Sequence, residues 1–583
     1  MPTDWRTTTT NVLVVGTGGA GLRAAIAAHD AGQEVLVVGR RPRHDAHTVL
    51  AAGGINAALG TRDPDDEPRW HFVDTWNEGY FLADPAKVEV LVTEAPDHLH
   101  QLADWGMPFA RTDDGALDQR YFGAHRYRRT CYAGDWTGRA LIETLLDQVD
   151  RRRIAIDDGR YVSHLLVEED VCAGALTFDL ERGERTAVLA DAVVLAGGGH
   201  TRLWARSSSR RDENAGDAMQ LALRAGATLR DLELVQFHPT GMTHPDGWVG
   251  QLVTEAVRGE GGRLVNAEGE RFMERYDPDR LELSTRDTVA LANYTEIQAG
   301  RAGPHGGVFL DLTHLDRATI REQLPSMYRQ FVDAQLVDIA EEPMEVAPTA
   351  HYSMGGVAVA HDTAATDVEG LFAAGEITGG LHGANRLGGN SLTETVVFGA
   401  RAGRAAATRS RELRAQPRPL RALLAANDEL DGLIGGGEVP VRLVQHRLRQ
   451  VMWEHVGVVR DDASLGHGLD RIAELTGCLD DLEVRPDAQG HADLAAALEL
   501  RGSLLLAAAT ATAARARTET RGAHQRRDHP DRDDEHQLVS HVVSLGADRR
   551  PVWSTRPRPD VPAHLADWAQ ESERPGDEGR LLE

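Results

Sequence analysis

Gly16, Gly18 and Gly21 follow a short apolar strand, Asn11 to Val15, and open a helix that runs through Ala31. A second strand, Glu34 to Val38, comes next. Glycines at G-x-G-x-x-G spacing between a strand and a helix demand a doubly wound α/β arrangement. The first glycine makes the tight turn, the second lets backbone approach a pyrophosphate, and the third lets helix and strand pack closely. The helix N-terminus, with Gly19 in its first turn, then points free N–H groups at the pyrophosphate. Gly39 and Arg40 end the second strand, where an acidic or hydroxyl side chain often holds the adenosine ribose. That contact is expected to be missing or replaced here.

Two later segments repeat the pattern of an apolar strand ending in glycine. Ala192 to Leu195 runs into Ala196-Gly197-Gly198-Gly199, and Leu371-Phe372-Ala373-Ala374 runs into Gly375-Glu376. Their separation implies one dinucleotide-binding domain interrupted by an insertion. A chain of 583 residues exceeds one core in any case. The expected division is 1–240 and 351–415 for the two parts of that domain and 241–350 for a capping insertion. A helical domain follows at 416–523 and a small C-terminal segment at 524–583. Helix-like apolar spacing marks Arg421 to Leu433, Val441 to Trp453, Ser464 to Thr476 and Ala492 to Arg517. Arg521 to Asp534 reads as a polar loop, and the tail from Arg574 as disordered.

The charge balance narrows the partners. There are 90 acidic and 63 basic residues, for a net charge of −27, which argues against non-specific nucleic-acid binding. Cys131, Cys172 and Cys478 form no CxxC pair and no metal-ligand spacing. They fit a reducing compartment, each as a small buried residue, and leave the chain no iron–sulfur, haem or other metal site of its own. Met1 to Thr10 is polar and unlike a signal peptide. No window approaches the roughly 20 apolar residues of a membrane span. The best candidate, Leu504 to Ala514, reads as a buried helix. Attachment to a membrane would need another chain.

Six polar clusters remain. They are Gln236-Phe237-His238-Pro239-Thr240-Gly241; Thr254-Glu255-Ala256-Val257-Arg258-Gly259; Glu270-Arg271-Phe272-Met273 with Ser284-Thr285-Arg286-Asp287; His351-Tyr352-Ser353-Met354-Gly355-Gly356; His382-Gly383-Ala384-Asn385-Arg386-Leu387 with Asn390-Ser391-Leu392; and Arg517 to Gly522 with His524. Upstream lies His47-Thr48, followed by Gly53-Gly54. With these motifs the chain resembles the flavoprotein subunit of succinate dehydrogenase and fumarate reductase. It is especially similar to the actinobacterial form, in which Leu324 to Phe331 and Pro343 to Val346 also match. The resemblance covers about 11–535. L-aspartate oxidases share most of the pattern and are the alternative.

The resemblance implies the α/β fold of that family. A Rossmann-like FAD-binding domain is interrupted by an α+β capping domain and followed by a helical domain. It also implies FAD as cofactor, held by Gly16, Gly18, Gly19, Gly21, Thr48, Gly53, Gly54, Gly197, Gly198, Glu376, Asn390, Ser391 and Leu392. His47 stands where the dehydrogenases bond the flavin covalently, although Ala52 replaces the usual glutamine. Succinate is a dianion, and its oxidation to fumarate removes a hydride and a proton. By resemblance His238, Thr254, His351 and Arg386 clamp the two carboxylates, residue types suited to that task. Arg286 shuttles the proton, and Glu255 and Arg258 relay it to solvent. An arginine acid/base is chemically unusual, because its pKa exceeds about 12, but crowding by other cations penalises its charged form. Arg139, Arg271, His382, His524, Glu260 and Glu270 are expected to be structural. The implied partners are an iron–sulfur subunit and a membrane anchor with quinone. They would place this chain, without a span of its own, on the cytoplasmic face of the plasma membrane.

Overall fold

The computed structural model describes residues 5–416, 418–485 and 491–572, so the tail from Arg574 lies outside them. Six strands build most of the central sheet: β1 (Arg6–Val15), β2 (Val35–Gly39), β3 (Ala155–Asp158), β4 (Arg160–Glu168), β5 (Val171–Asp179) and β6 (Arg185–Leu195). Their order is β3-β2-β1-β6-β5-β4, and the short strand Leu371–Ala373 pairs with β6. Neighbours from β3 to β6 are parallel, whereas β5 and β4 return antiparallel. Val12, Leu13 and Val14 are fully buried, as a strand covered on both faces requires. β1 starts five residues before the apolar run. Its threonines are mostly exposed, yet they pair with β6 from Arg6 opposite Thr186 onward. Strand geometry there comes from β-branched side chains and the partner's ladder, which an apolar pattern does not reveal.

On one face of this sheet the helix Gly19–Asp30 packs against the helix Asn390–Glu412. A Cβ added at Gly403 would lie 2.1 Å from the Ala24 carbonyl oxygen, so the two backbones touch only because a glycine stands there. This contact brings the start of Asn390–Glu412 beside the glycine turn after β1.

The insertion carries its own antiparallel sheet, in the order Val235–Met242, Met344–Ser353, Val308–Asp311, Arg263–Val265. It has a separate apolar core that includes Val257, Leu264, Phe272, Val289 and Phe331. Its first and last strands in sequence run across the divisions at 240/241 and 350/351. His238 stands opposite Thr349, two residues from His351. Both histidines therefore ride on the cap's own sheet.

The helical segment contains Leu420–Leu433, Val441–His455, Asp462–Thr476 and Ala492–Ala516. The last matches the expected Ala492 to Arg517 almost end to end, and its apolar stretch reaches beyond Leu504 to Ala514. Among the described residues it is the one helix long and apolar enough to cross a membrane, but 83% of its most apolar window is buried inside the protein. Glu499 and Arg501 interrupt the apolar run in sequence, which hides how apolar the helix is. Glu499 can be buried because Arg40 meets it at 2.7 Å. A hairpin, Val539–Leu545 and Pro551–Pro557, adds to Leu229–Arg230 and Gly356–Val357, and a short helix, Ala566–Gln570, follows it. Cys131 and Cys172 are buried free thiols; Cys478 departs from expectation and is partly exposed.

Candidate active site

One cavity of about 330 Å³ runs from the glycine turn after β1 to the underside of the cap. At its nucleotide end Gly16 adopts φ +121°, and a Cβ there would sit 2.2 Å from the Ala196 carbonyl oxygen. A Cβ at Gly21 would sit 1.9 Å from the Gly16 carbonyl oxygen. These two glycines fix the strand-to-helix approach, while Gly18 and Gly19 line the cavity. Gly19 N–H donates to Thr48 Oγ1 at 3.1 Å, which ties the turn to the next loop. Gly197 and Gly198 line the opposite wall, close against Ala218 and Asn214. Arg40 does not offer the missing acid. It is held by Glu499 at 2.7 Å and Asp217 at 3.7 Å. Asp217, at the start of the helix Asp217–Ala225, lines the cavity instead and supplies a carboxylate from a distant segment. Its signal in sequence is only that it follows a glycine at a helix start.

In the middle of the cavity, His47–Leu50 forms a single 3-10 turn. Gly54 follows at φ +143°, where a Cβ would meet Thr130 at 2.4 Å and the Cys131 carbonyl oxygen at 2.6 Å. Gly53 similarly presses on the Phe122 ring. The strands here approach too closely for side chains, so bare backbone forms this wall. His47 Nδ1 lies 2.8 Å from Glu213 Oε1. Burial pushes the imidazole down, but the Glu213 charge and hydrogen bond outweigh it and hold the ring above its usual range. Glu376 accepts from the Ser353 N–H at 3.0 Å and is pushed up by burial to about 7. Ser391 and Leu392 line the cavity from the first turn of Asn390–Glu412, whose N-terminus favours negative charge. Asn390 differs from its neighbours. Its amide oxygen accepts from Asn56 at 2.7 Å and its nitrogen donates to Thr75 at 2.9 Å, so its side chain braces the loop behind the cavity.

Under the cap, side chains from five segments converge. Arg286, the first residue of the helix Arg286–Gln298, donates from Nε to Glu255 Oε2 at 2.8 Å and from Nη1 to Gln236 Oε1 at 3.1 Å. Arg386 donates to the same Gln236 oxygen at 2.9 Å, and its guanidinium stands 4.3 Å from the Tyr352 ring centre. Burial, then the Arg286 charge, lowers Arg386 to about 10. Its Nε is buried without a hydrogen-bond partner. Glu255 resists burial because Arg286 and Arg258 hold it down at about 2. Arg258 Nη2 stands 3.7 Å from Glu255, the pairing that three-residue spacing allows, and Nη1 donates to the Glu282 carbonyl oxygen. Arg258 itself lies behind the cavity rather than on its wall.

His238 and His351 face each other edge-on, with ring centres 5.2 Å apart. His238 Nδ1 accepts from the Thr240 N–H at 3.2 Å, and His351 Nδ1 pairs with Ser208 Oγ at 2.9 Å. Burial first, then the charge of Arg286 on His238 and of Arg386 on His351, pushes both far below the ordinary histidine range. This environment disfavours the charged form of both rings. Thr254, also on the wall, is buried. Gln236 and Tyr352 stand in the motifs named from the sequence but were given no role there, and Ser208 was not picked out at all; their contacts join segments far apart along the chain. His382, His524 and Arg271 are structural, bonded to Glu394, to the Arg517 carbonyl oxygen and to Glu282 respectively.

The donor set fits FAD and a dianion. There is a backbone-lined trough with the N-terminus of Gly19–Asp30 and a carboxylate at the nucleotide end, the N-terminus of Asn390–Glu412 in the middle, and at the other end a guanidinium with no carboxylate in salt-bridge distance among the described residues, beside two imidazoles.

Known proteins agree. Residues 11–392 match the family model described as FAD binding domain, and residues 445–559 the model described as fumarate reductase flavoprotein C-term. A subunit of the CoM/CoB fumarate reductase of Methanothermobacter marburgensis is 44% identical over 523 residues, 89% of this chain and 94% of that one. A fumarate reductase flavoprotein subunit of Mycobacterium tuberculosis is 38% identical over 570 residues, 92% and 95%. Mycobacterium smegmatis Sdh1, solved in complex with UQ1, superposes with a TM-score of 0.87 at 38% identity, covering 97% of this chain and 98% of its own. The L-aspartate oxidase alternative is not favoured. This chain is an FAD-dependent oxidoreductase and belongs to the succinate dehydrogenase/fumarate reductase flavoprotein family.

Proposed function

We propose that this protein interconverts succinate and fumarate as the catalytic subunit of a succinate:quinone oxidoreductase. The observation that carries this is the convergence of Arg286, Arg386, His238, His351 and Thr254 on one cavity wall next to the helix that starts at Asn390. FAD, when bound, supplies the hydride acceptor or donor. Arg386, lacking a carboxylate partner among the described residues, takes one substrate carboxylate. The neutral imidazoles of His238 and His351, with the Thr254 hydroxyl, hold the other by hydrogen bonds. Arg286 carries the proton at its guanidinium. Glu255 stays ionised and holds the Arg286 fork through Nε, and Arg258 extends the polar path towards the Glu282 backbone. Phe122, 5.9 Å from the Arg286 guanidinium, helps keep bulk water off that proton.

Electrons then leave through an iron–sulfur subunit, and a membrane anchor with quinone holds the assembly on the inner face of the plasma membrane. Purified with its partners, the protein should reduce an artificial dye with succinate and reduce fumarate with a viologen donor. Oxidation of aspartate with no succinate activity would refute this reading. We further propose that FAD is bonded to His47. Proteolysis should then yield a His47 peptide carrying flavin mass, and acid-precipitated protein should stay yellow. Complete loss of colour into the supernatant would exclude the bond.

A further inference from the structure

The carboxylate behind His47 has no part in the chemistry proposed so far. Glu213 Oε1 sits 2.8 Å from His47 Nδ1, and the same oxygen accepts from the Arg210 N–H at 2.8 Å and Arg210 Nε at 3.1 Å. Its side chain is 8% exposed, and Oε2 is buried with no hydrogen-bond partner. Arg210 also bonds Asp45, Asp45 bonds Arg41, and Arg41 reaches Asp212. This lattice locks the loop of His47 to the loop of Glu213, so the carboxylate cannot swing away from the ring. With Nδ1 engaged, Nε2 is the nitrogen left for the cavity that His47 lines.

We propose that Glu213 is the positioning residue for covalent attachment of the flavin: it fixes the proton on Nδ1, presents Nε2, and becomes the counterion of the product. The proposal rests on the covalent reading of His47. His47 Nε2 forms a bond to the methyl carbon of the flavin's benzenoid ring in exchange for one hydrogen, which leaves as a proton. The electron pair of that C–H bond passes through the flavin to fumarate, which takes up this proton and one from solvent to become succinate. Alkylating Nε2 of a ring protonated at Nδ1 leaves an imidazolium, and the Glu213 carboxylate neutralises it. A neutral partner at 213 would leave that charge without its hydrogen-bonded counterion, with only the more distant Glu376 carboxylate to offset it. Without a carboxylate, nothing of comparable strength would favour the Nδ1–H tautomer.

The test compares wild type, E213Q, E213A and E213D, each expressed with FAD. Total flavin is read by absorbance before denaturation and linked flavin by mass on the His47 peptide. Wild type should be mostly linked. E213Q and E213A should be linked at least about tenfold less, with total flavin within about twofold of wild type, the loss expected when a charge-assisted hydrogen bond goes. E213D should recover part of the linkage. Linkage in E213Q and E213A equal to wild type would overturn the role of Glu213 while leaving the His47 bond standing. Loss of all flavin from both variants would equally overturn it, in favour of a structural role. Wild type without flavin on His47 would instead remove the covalent reading, and this inference with it.

Discussion

Arg286→Lys should lower dicarboxylate turnover about 10²- to 10⁴-fold, the span that one positioned acid/base group contributes. Flavin content should stay at the wild-type level. The guanidinium is placed by two bonds from different nitrogens, Nε to Glu255 and Nη1 to Gln236, which leaves Nη2 to act. A lysine has one nitrogen. It can keep the charge near Glu255 or reach the substrate, but not both. The loss should therefore appear in kcat more than in KM, since Arg386 and the two histidines still hold the substrate. Turnover within a few-fold of wild type would end the assignment of the proton to Arg286.

Arg386→Ala should raise the malonate inhibition constant about 10- to 100-fold, the range of a buried hydrogen bond to a charged group. It should also abolish most of the malonate-induced rise in Tm. A second effect runs the other way. Arg386 is 2% exposed, lies close enough to feel the Arg286 charge, and among the described residues has no carboxylate within salt-bridge distance. Such a charge destabilises the fold until a dianion arrives. Ligand-free Arg386→Met, which keeps much of the volume, should therefore melt no lower than wild type. A marked fall in its Tm would mean that Arg386 is chiefly a structural residue.

What could be read in advance follows from the range of each interaction. The turn at Gly16, Gly18 and Gly21 was legible from its spacing and its flanking strand and helix; the demand at Gly21 is local, since the nearest atoms that exclude a Cβ there belong to Gly16, whereas those at Gly16 belong to distant Ala196. The helices from Leu420 onward were legible for the same reason, since apolar spacing is a local property. The site's supports were not. Glu213 lies 166 residues from His47 and Glu499 lies 459 from Arg40, with no pattern in either segment that names the other. The direction of Asn390 was hidden too, because Asn56, His71 and Thr75 decide it. The pairing of the strands that carry His238 and His351 was hidden as well, because each finds its partner at the far end of the inserted segment.

The bridge from Arg40 to Glu499 has a consequence for how the protein fails. Glu499 sits on Ala492–Ala516, and Arg40 follows β2 beside Asp217 on the nucleotide wall. If that helix withdraws, Arg40 loses its strongest partner and stands as a loose cation where the adenosine half should rest. Melting of the helical layer and loosening of the coenzyme's adenosine half would then be one event, with no long-lived state in which a damaged helical layer still sits on an intact nucleotide wall.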